Sequence, residues 1–300
     1  MSLQLCVLGS GSGGNCSYIE ASAGRDVASP RRWLIDAGLS PRQTNRRLRM
    51  LGASLSDITD ILITHPDTDH LHPNMVRRAE KLGIRLHVHS SHMLLAFRGH
   101  ERPTGCCAFV RSFERDGVSV QTTRLAHDDH GSIAYRIECG GAAVGYATDL
   151  GHVPEHLFDL FDGVDGLAIE SNYDRAMQLA SARPTFLKRR IMNGHGHLSN
   201  EESLDAVVTM SERANLRYVA LLHLSQQCNC PMVIDRLYRK RAPHLHASLT
   251  ISNQHTPTAM LDCRQSAPAS MDGQAAKGAS GASPDRSGQQ NTPVQPSLFH

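Results

Sequence analysis

Four groups able to ligate a metal fall within the segment His65-Pro66-Asp67-Thr68-Asp69-His70. The segment follows the mostly apolar run 60–64, so it stands where a buried strand emerges. On a loop leaving a strand, positions 65, 67 and 69 can turn toward a shared point, and His70 can reach it from the next turn. Such a set suits two adjacent cations, with His65 and Asp67 on one and Asp69 and His70 on the other. His127, Asp149 and His223 also follow strand-like runs. Ligands at the ends of several strands converge on one sheet edge, where sites usually form. A carboxylate such as Asp149 can bridge two cations and hold between them a hydroxide of near-neutral pKa.

Other positions offer supporting chemistry. His197 sits just before a helix whose Ser199-Asn200-Glu201-Glu202 start reads as a capping box. A near-neutral imidazole there suits contact with a substrate phosphate or protonation of a leaving oxygen. The helix N-terminus after it offers unpaired N–H donors for an anion. Ser171 and Asn172 either line the pocket or make a turn. The glycine-dense loop 9–15 suggests a backbone phosphate cradle or a tight turn, and it lacks the lysine of a P-loop. Cys228-Asn229-Cys230 is too closely spaced for a typical zinc pair and reads as a loop leading into a helix.

These residues need elements to position them. Alternating or apolar runs predict strands over 3–8, 17–20, 33–36, 61–64, 86–89, 118–125, 133–138, 142–148, 166–170, 218–222 and 249–251. Helical periodicity covers 41–51, 73–82, 90–97, 154–160, 183–192, 199–213 and 231–241, with Pro41, Pro73, Pro154 and Pro231 at first-turn positions. The small, polar stretch 21–31 reads as an extended hairpin loop. Interspersed helices and strands without a repeat suggest a layered α/β domain with mixed sheets. Residues 1–262 form that body; 263–300 are Ala, Ser, Gln, Gly and Pro-rich and are expected to be disordered.

The chain has 300 residues, 31 Lys and Arg, 29 Asp and Glu, and a net charge of +2. That balance excludes a strongly basic nucleic-acid wrap and an acidic solvating chain, leaving local patches such as 31–32, 42–49, 77–78 and 188–190. No 18-residue apolar stretch exists, so no membrane partner is expected. Residues 1–15 read as a strand and a glycine loop, not a signal peptide, which points to the cytoplasm. Eight cysteines with no CxxC pair are expected to be free thiols. The 18 histidines are a surplus that agrees with a metal site.

The segments LGSGSGGNCSYIE, LIDAGLS, ILITHPDTDH, ATDLG, LAIESNYD, GHGHLSNEE and LLHLSQQCN together resemble the YycJ/WalJ branch of the metallo-β-lactamase superfamily. The resemblance implies an αββα sandwich with a dinuclear site of zinc, manganese or iron at the sheet edge. Carried over, the ligands are His65, Asp69, His70, His127, Asp149 and His223. Asp69 would orient the hydroxide and His197 would protonate the leaving group. Asp36 would lie beneath the site and accept a ligand imidazole N–H, and Ser12 or Asn15 would assist from the bordering loop. Asp67 stands where the family motif usually has a second histidine. Either it ligates and shifts the site toward manganese or iron, or the first position weakens, or Asp67 leaves the shell. His72 is a candidate substitute, or else a surface residue at a helix start.

The branch implies phosphodiester chemistry on nucleic acid, DNA in particular, by 5′-exonuclease action. The alternatives are a small-molecule hydrolase acting on a cyclic phosphodiester, thioester or lactone, and a non-catalytic docking module with a weakened site. The stretch between Asp149 and His223 is too short for the cap domain of the β-CASP nucleases. Gln295, Leu298 and Phe299 resemble the short peptide by which bacterial DNA enzymes dock on the sliding clamp.

Overall fold

In a computed structural model, which describes residues 2–22, 30–98 and 101–264, the chain forms two seven-stranded sheets. The first takes β1 (Ser2–Gly9), β2 (Cys16–Ser22), β3 (Arg31–Ile35), β4 (Asp60–Ile63), β5 (Arg85–His89) and β6 (Cys106–Phe109). The second takes β7 (Ser112–Arg115), β8 (Val118–Leu125), β9 (Ser132–Cys139), β10 (Ala142–Ala147), β11 (Gly166–Glu170), β12 (Tyr218–Leu222) and β13 (Leu249–Ile251). β14 (Leu261–Asp262) returns to the first sheet beside β1.

Both sheets have one pattern. β14, β1, β2 and β3 pair antiparallel and β3 to β6 parallel. In the second, β7 to β10 pair antiparallel and β10 to β13 parallel.

Period-two alternation divides each strand between two apolar layers. On β1, Leu3, Leu5 and Val7 enter the core between the sheets, with Trp33, Tyr135 and Tyr146. Cys6 and Leu8 face the other way, into the layer under the helices of the first sheet. Those helices are α1 (Pro41–Arg49), α2 (Pro73–Leu82) and α3 (Met93–Ala96), which contribute Leu48, Met75 and Ala79 among others. The second sheet is covered by α4 (Glu155–Leu160) and, after α5 (Arg175–Ala180) and α6 (Thr185–Met192), by α7 (Asn200–Arg213), α8 (Pro231–Arg241) and α9 (Pro243–His246). The result is the expected αββα sandwich. No helix among the described residues is long and apolar enough to cross a membrane.

The capping box at Ser199 and Glu202 forms as read, and Ser40 with Gln43 makes a second. Several expectations need correction. Pro154 is the residue before α4, not within its first turn. The 90–97 segment divides into a 3-10 turn, Ser90–His92, and the short α3. β6, β7, β14, α5 and α9 are short elements outside the expected set, and strand pairing fixes the first three. The arms of the 21–31 connection pair as a hairpin, Ala21 opposite Arg31, while 23–29 lie outside the described residues. So do 265–300, including Gln295, Leu298 and Phe299. All eight cysteines are free.

Candidate metal centre

The carboxyl ends of β3, β4, β10, β11 and β12 meet at one edge of the sandwich, and each supplies a side chain there. Asp36 and His223 immediately follow β3 and β12, and Asp149 lies two residues past β10, at φ of 60°, 54° and 52°. Non-glycine residues seldom adopt such values, and their clustering marks backbone strain at one place. His65 and His70 come from the loop after β4, and His127 from the segment after β8.

Three groups of donors have ligand atoms within 4.8 Å of one another: His65, His70 and Asp149; Asp69, His70 and His223; and Asp149, Glu170, His197 and His223. Asp149 shares two of them. His70 Nε2 lies 2.8 Å from Asp149 Oδ2, while its Nδ1 lies 2.7 Å from Asp36 Oδ2. Asp36 is fully buried and also accepts from Thr64 N and Oγ1 at 2.8 and 2.9 Å. The aspartate under the site thus fixes the ring of His70 by its far nitrogen. His127 lies outside the three groups, but its ring is oriented likewise, Nδ1 paired with the Gly196 carbonyl at 2.9 Å.

The other predicted residues divide. Asp67 Oδ2 is 3.9 Å from His65 Nε2, on a side chain 58 % exposed, outside the three groups. His72 caps α2, its Nδ1 accepting from Asn74 N at 3.1 Å. Asn15 Nδ2 approaches His70 Nε2 to 2.9 Å, and Asn172 Nδ2 approaches His223 Nδ1 to 3.0 Å. Ser12 lines a cavity of about 430 Å³ with Asn172, His197 and His223.

The glycine loop is not a phosphate cradle. Its amides at Ser10, Gly11, Gly13, Gly14 and Asn15 donate to Asn253 O, Asn15 Oδ1, Gln254 Oε1, Gly11 O and Asp69 O. The loop instead pins the ligand segment. A Cβ on Gly38 would lie 1.6 Å from the Asp69 carbonyl oxygen, so only glycine permits that approach.

Two functional side chains escaped the sequence reading. Glu170, fully buried at the end of β11, holds His197 Nδ1 at 2.7 Å and accepts from Leu150 N at 3.1 Å. A carboxylate ending the apolar run 166–169 was the available signal. Asp128, at φ 40°, binds Arg190 through both oxygens, at 2.9 and 2.6 Å. Nothing local in the sequence marks that pair.

The electrostatics follow from these contacts. Burial pushes His65 well below its ordinary value, aided by His70, so it is a neutral imidazole. Burial opposes charge on His197 and His223 too, but the facing carboxylates win. Glu170 and Asp149 raise His197 to about 10, and Asp149, Asp69 and Glu170 raise His223 to about 9. His70, between Asp149 and Asp36, is likewise raised against its desolvation. Asp149 is held well below the usual carboxylate range, the histidines outweighing burial.

These residues fit a divalent cation. His223 Nε2 is buried with no hydrogen-bond partner, an orphaned donor atom beside Asp69 Oδ2 at 3.8 Å. Mixed imidazole and carboxylate donors suit zinc, manganese and iron.

Helix layers around two mixed sheets, with such donors at the ends of their strands, define a metal-dependent hydrolase. The chain belongs to the beta-lactamase superfamily, whose domain model matches residues 31–223. Its similarity to two relatives places it on the YycJ/WalJ branch. It is 28 % identical over 232 residues to the exodeoxyribonuclease WalJ of Streptococcus pneumoniae, covering 74 % of this chain and 82 % of that one. It is 27 % identical over 237 residues to the exodeoxyribonuclease YycJ of Bacillus anthracis, covering 76 % and 85 %. Among solved structures, the metallo-β-lactamase fold protein YhfI of Bacillus subtilis matches with a TM-score of 0.61 at 13 % identity, over 86 % of this chain and 99 % of that one.

Proposed function

We propose that this protein is a metal-dependent nuclease that hydrolyses phosphodiester bonds in DNA from an end. The reading is carried by one arrangement: the donors around Asp149 open onto a cavity also lined by His197, Arg183 and Arg190. Acid and metal donors on one cavity match the needs of the scissile diester, and the Arg183 guanidinium at its side suits a flanking phosphate of an anionic strand. Similarity to two exodeoxyribonucleases over about three quarters of the chain supports the same choice.

His65, Asp69, His70, His127, Asp149 and His223 would hold two divalent ions, with Asp67 at the margin. Such ions lower the pKa of water and neutralise charge on phosphoryl oxygens. The chain's own residues do the rest. Asp36 and Gly196 fix the rings of His70 and His127, so these donors are preorganised. Asp69 orients the attacking water. His197, charged at neutral pH and anchored to Glu170 by Nδ1, uses its other nitrogen to protonate the leaving oxygen.

Asp149→Asn tests the assignment, because it keeps the shape of the side chain and removes its charge. Loss of metal and of at least about 100-fold of DNA hydrolysis is expected, with unchanged circular dichroism. Full activity in this variant refutes the reading.

A further inference from the structure

Arg183 lines the cavity beside His197 and His223, on the turn between α5 and α6. Its guanidinium is held by three neutral oxygens. Nε donates to Gln227 Oε1 at 3.3 Å, Nη1 to Gln178 Oε1 at 3.1 Å, and Nη2 to Ser225 Oγ at 3.3 Å. Among the described residues no carboxylate pairs with it. Arg190, lining the same cavity, is neutralised by both oxygens of Asp128. Gln178 is fully buried, and its Nε2 has no partner. Its amide is thus turned to present oxygen to Arg183 at the expense of an unpaired N–H2 group.

A guanidinium has five N–H donors. The three bonds leave one on Nη1 and one on Nη2, a fork that matches two oxygens of a phosphate. Three residues on, in the first turn of α6, Phe186 is 73 % exposed. Leu187, Arg190 and Ile191 of the same helix line the cavity. Phe186 does not itself line the cavity, but it stands one helical turn from Arg190, which does, and an exposed aromatic ring there offers a face for a nucleobase.

We propose that Arg183 and Phe186 form a subsite for the nucleotide next to the cleaved bond, in a single strand. Arg183 takes its phosphate and Phe186 stacks on its base. The assignment rests on the nuclease reading and adds to it the strand-holding groups that the metal donors do not supply. Arg183 is placed by neutral partners, so its charge is available to the substrate from the start.

The test is steady-state hydrolysis by the metal-loaded protein of a single-stranded oligonucleotide and of bis(p-nitrophenyl) phosphate, which has one phosphate and no neighbouring nucleotide. Arg183→Gln is expected to raise KM for the oligonucleotide about ten- to a hundredfold, with a smaller change in kcat. It should also reduce the slope of log KM against log salt by about 0.7, one phosphate contact on a single strand. Arg183→Lys restores the charge without the fork and should recover part of the loss. Phe186→Ala should raise KM about tenfold, and Phe186→Trp should restore it. For the small diester the same substitutions should change KM by less than about threefold, since its single phosphate does not reach the subsite. An equal loss of kcat on both substrates, or an unchanged oligonucleotide KM and salt slope in Arg183→Gln, overturns the subsite. A wild-type protein that hydrolyses the small diester and no oligonucleotide overturns the nuclease reading itself, before any variant is made.

Discussion

At the scale of single residues, the centre is an alternation of positive rings and negative carboxylates. His70, His197 and His223 are all held above the ordinary histidine value by Asp149, Asp36 and Glu170, against the cost of burial. A cation that takes His70 Nε2 or His223 Nε2 must therefore displace protons. Metal affinity should fall as pH falls, and calorimetry at pH 7 in buffers of different ionisation enthalpy should record release of about one or more protons per chain. Uptake without proton release contradicts the charge assignment. The role of His197 has its own signature. His197→Asn should slow a natural diester about 100-fold or more, and an ester with a p-nitrophenolate leaving group far less, because that group departs without an acid. Equal losses on both esters would reassign His197 to binding.

At the scale of elements, strand ends aim the donors and loops lock them. The turn after β3 packs against the loop after β4 through Gly38, and Ala37 N donates to the His70 carbonyl at 2.7 Å. Asn15 N holds the Asp69 carbonyl at 2.7 Å from the other side. A methyl group at position 38 cannot be accommodated without moving Asp69. Gly38→Ala should cost about 1–3 kcal/mol of stability by overpacking and lower the metal content. Unaltered metal stoichiometry and thermal midpoint would mean that the two loops can part without loss. The basic run 42–49 shows the opposite use of charge. Arg47 is buried and donates to Leu8 O and Gln254 O at 2.8 and 3.0 Å, so it ties α1 to the end of β1 and cannot track a nucleic acid.

At the scale of the whole molecule, a buried carboxylate helps to join the two sheets at the end opposite the centre. Asp60 opens β4 and is fully buried. It meets Arg85 Nε at 2.9 Å, His87 Nε2 at 2.8 Å and, from the second sheet, Arg115 Nε at 3.4 Å. Burial alone would raise its pKa, but His87 and Arg85 hold it well below the usual carboxylate range. Its folded value lies below its unfolded one, so its stabilisation is complete above about pH 4 and fades as pH falls further. Asp60→Asn should cost about 2–3 kcal/mol at pH 7, reduced from a fully buried pair because both arginines are about one third exposed. The gap in melting temperature between wild type and variant, measured on metal-stripped protein, should narrow between pH 6 and pH 3. A constant gap would mean that Asp60 contributes shape and not charge.

The sequence by itself determined what local spacing controls. Strand and helix periods, the box at Ser199 and Glu202, and the order of donors after β4, β8, β10 and β12 all depend on near neighbours, since burial repeats every two or 3.6 residues. Tertiary structure decided the partners. Asp36 meets His70 only because β3 and β4 pair in parallel at one register, and Glu170 meets His197 only because the segment before α7 crosses the end of β11. The glycine loop looked able to hold phosphate until its amides were seen to be taken, by Gln254 and Asp69 among others. Arg183 and Arg190 look alike in sequence, and one is neutralised while the other is not. A hydrogen bond between distant residues leaves no periodic mark, so charge compensation in this site is set by the packing of the sandwich and not by the order of its residues.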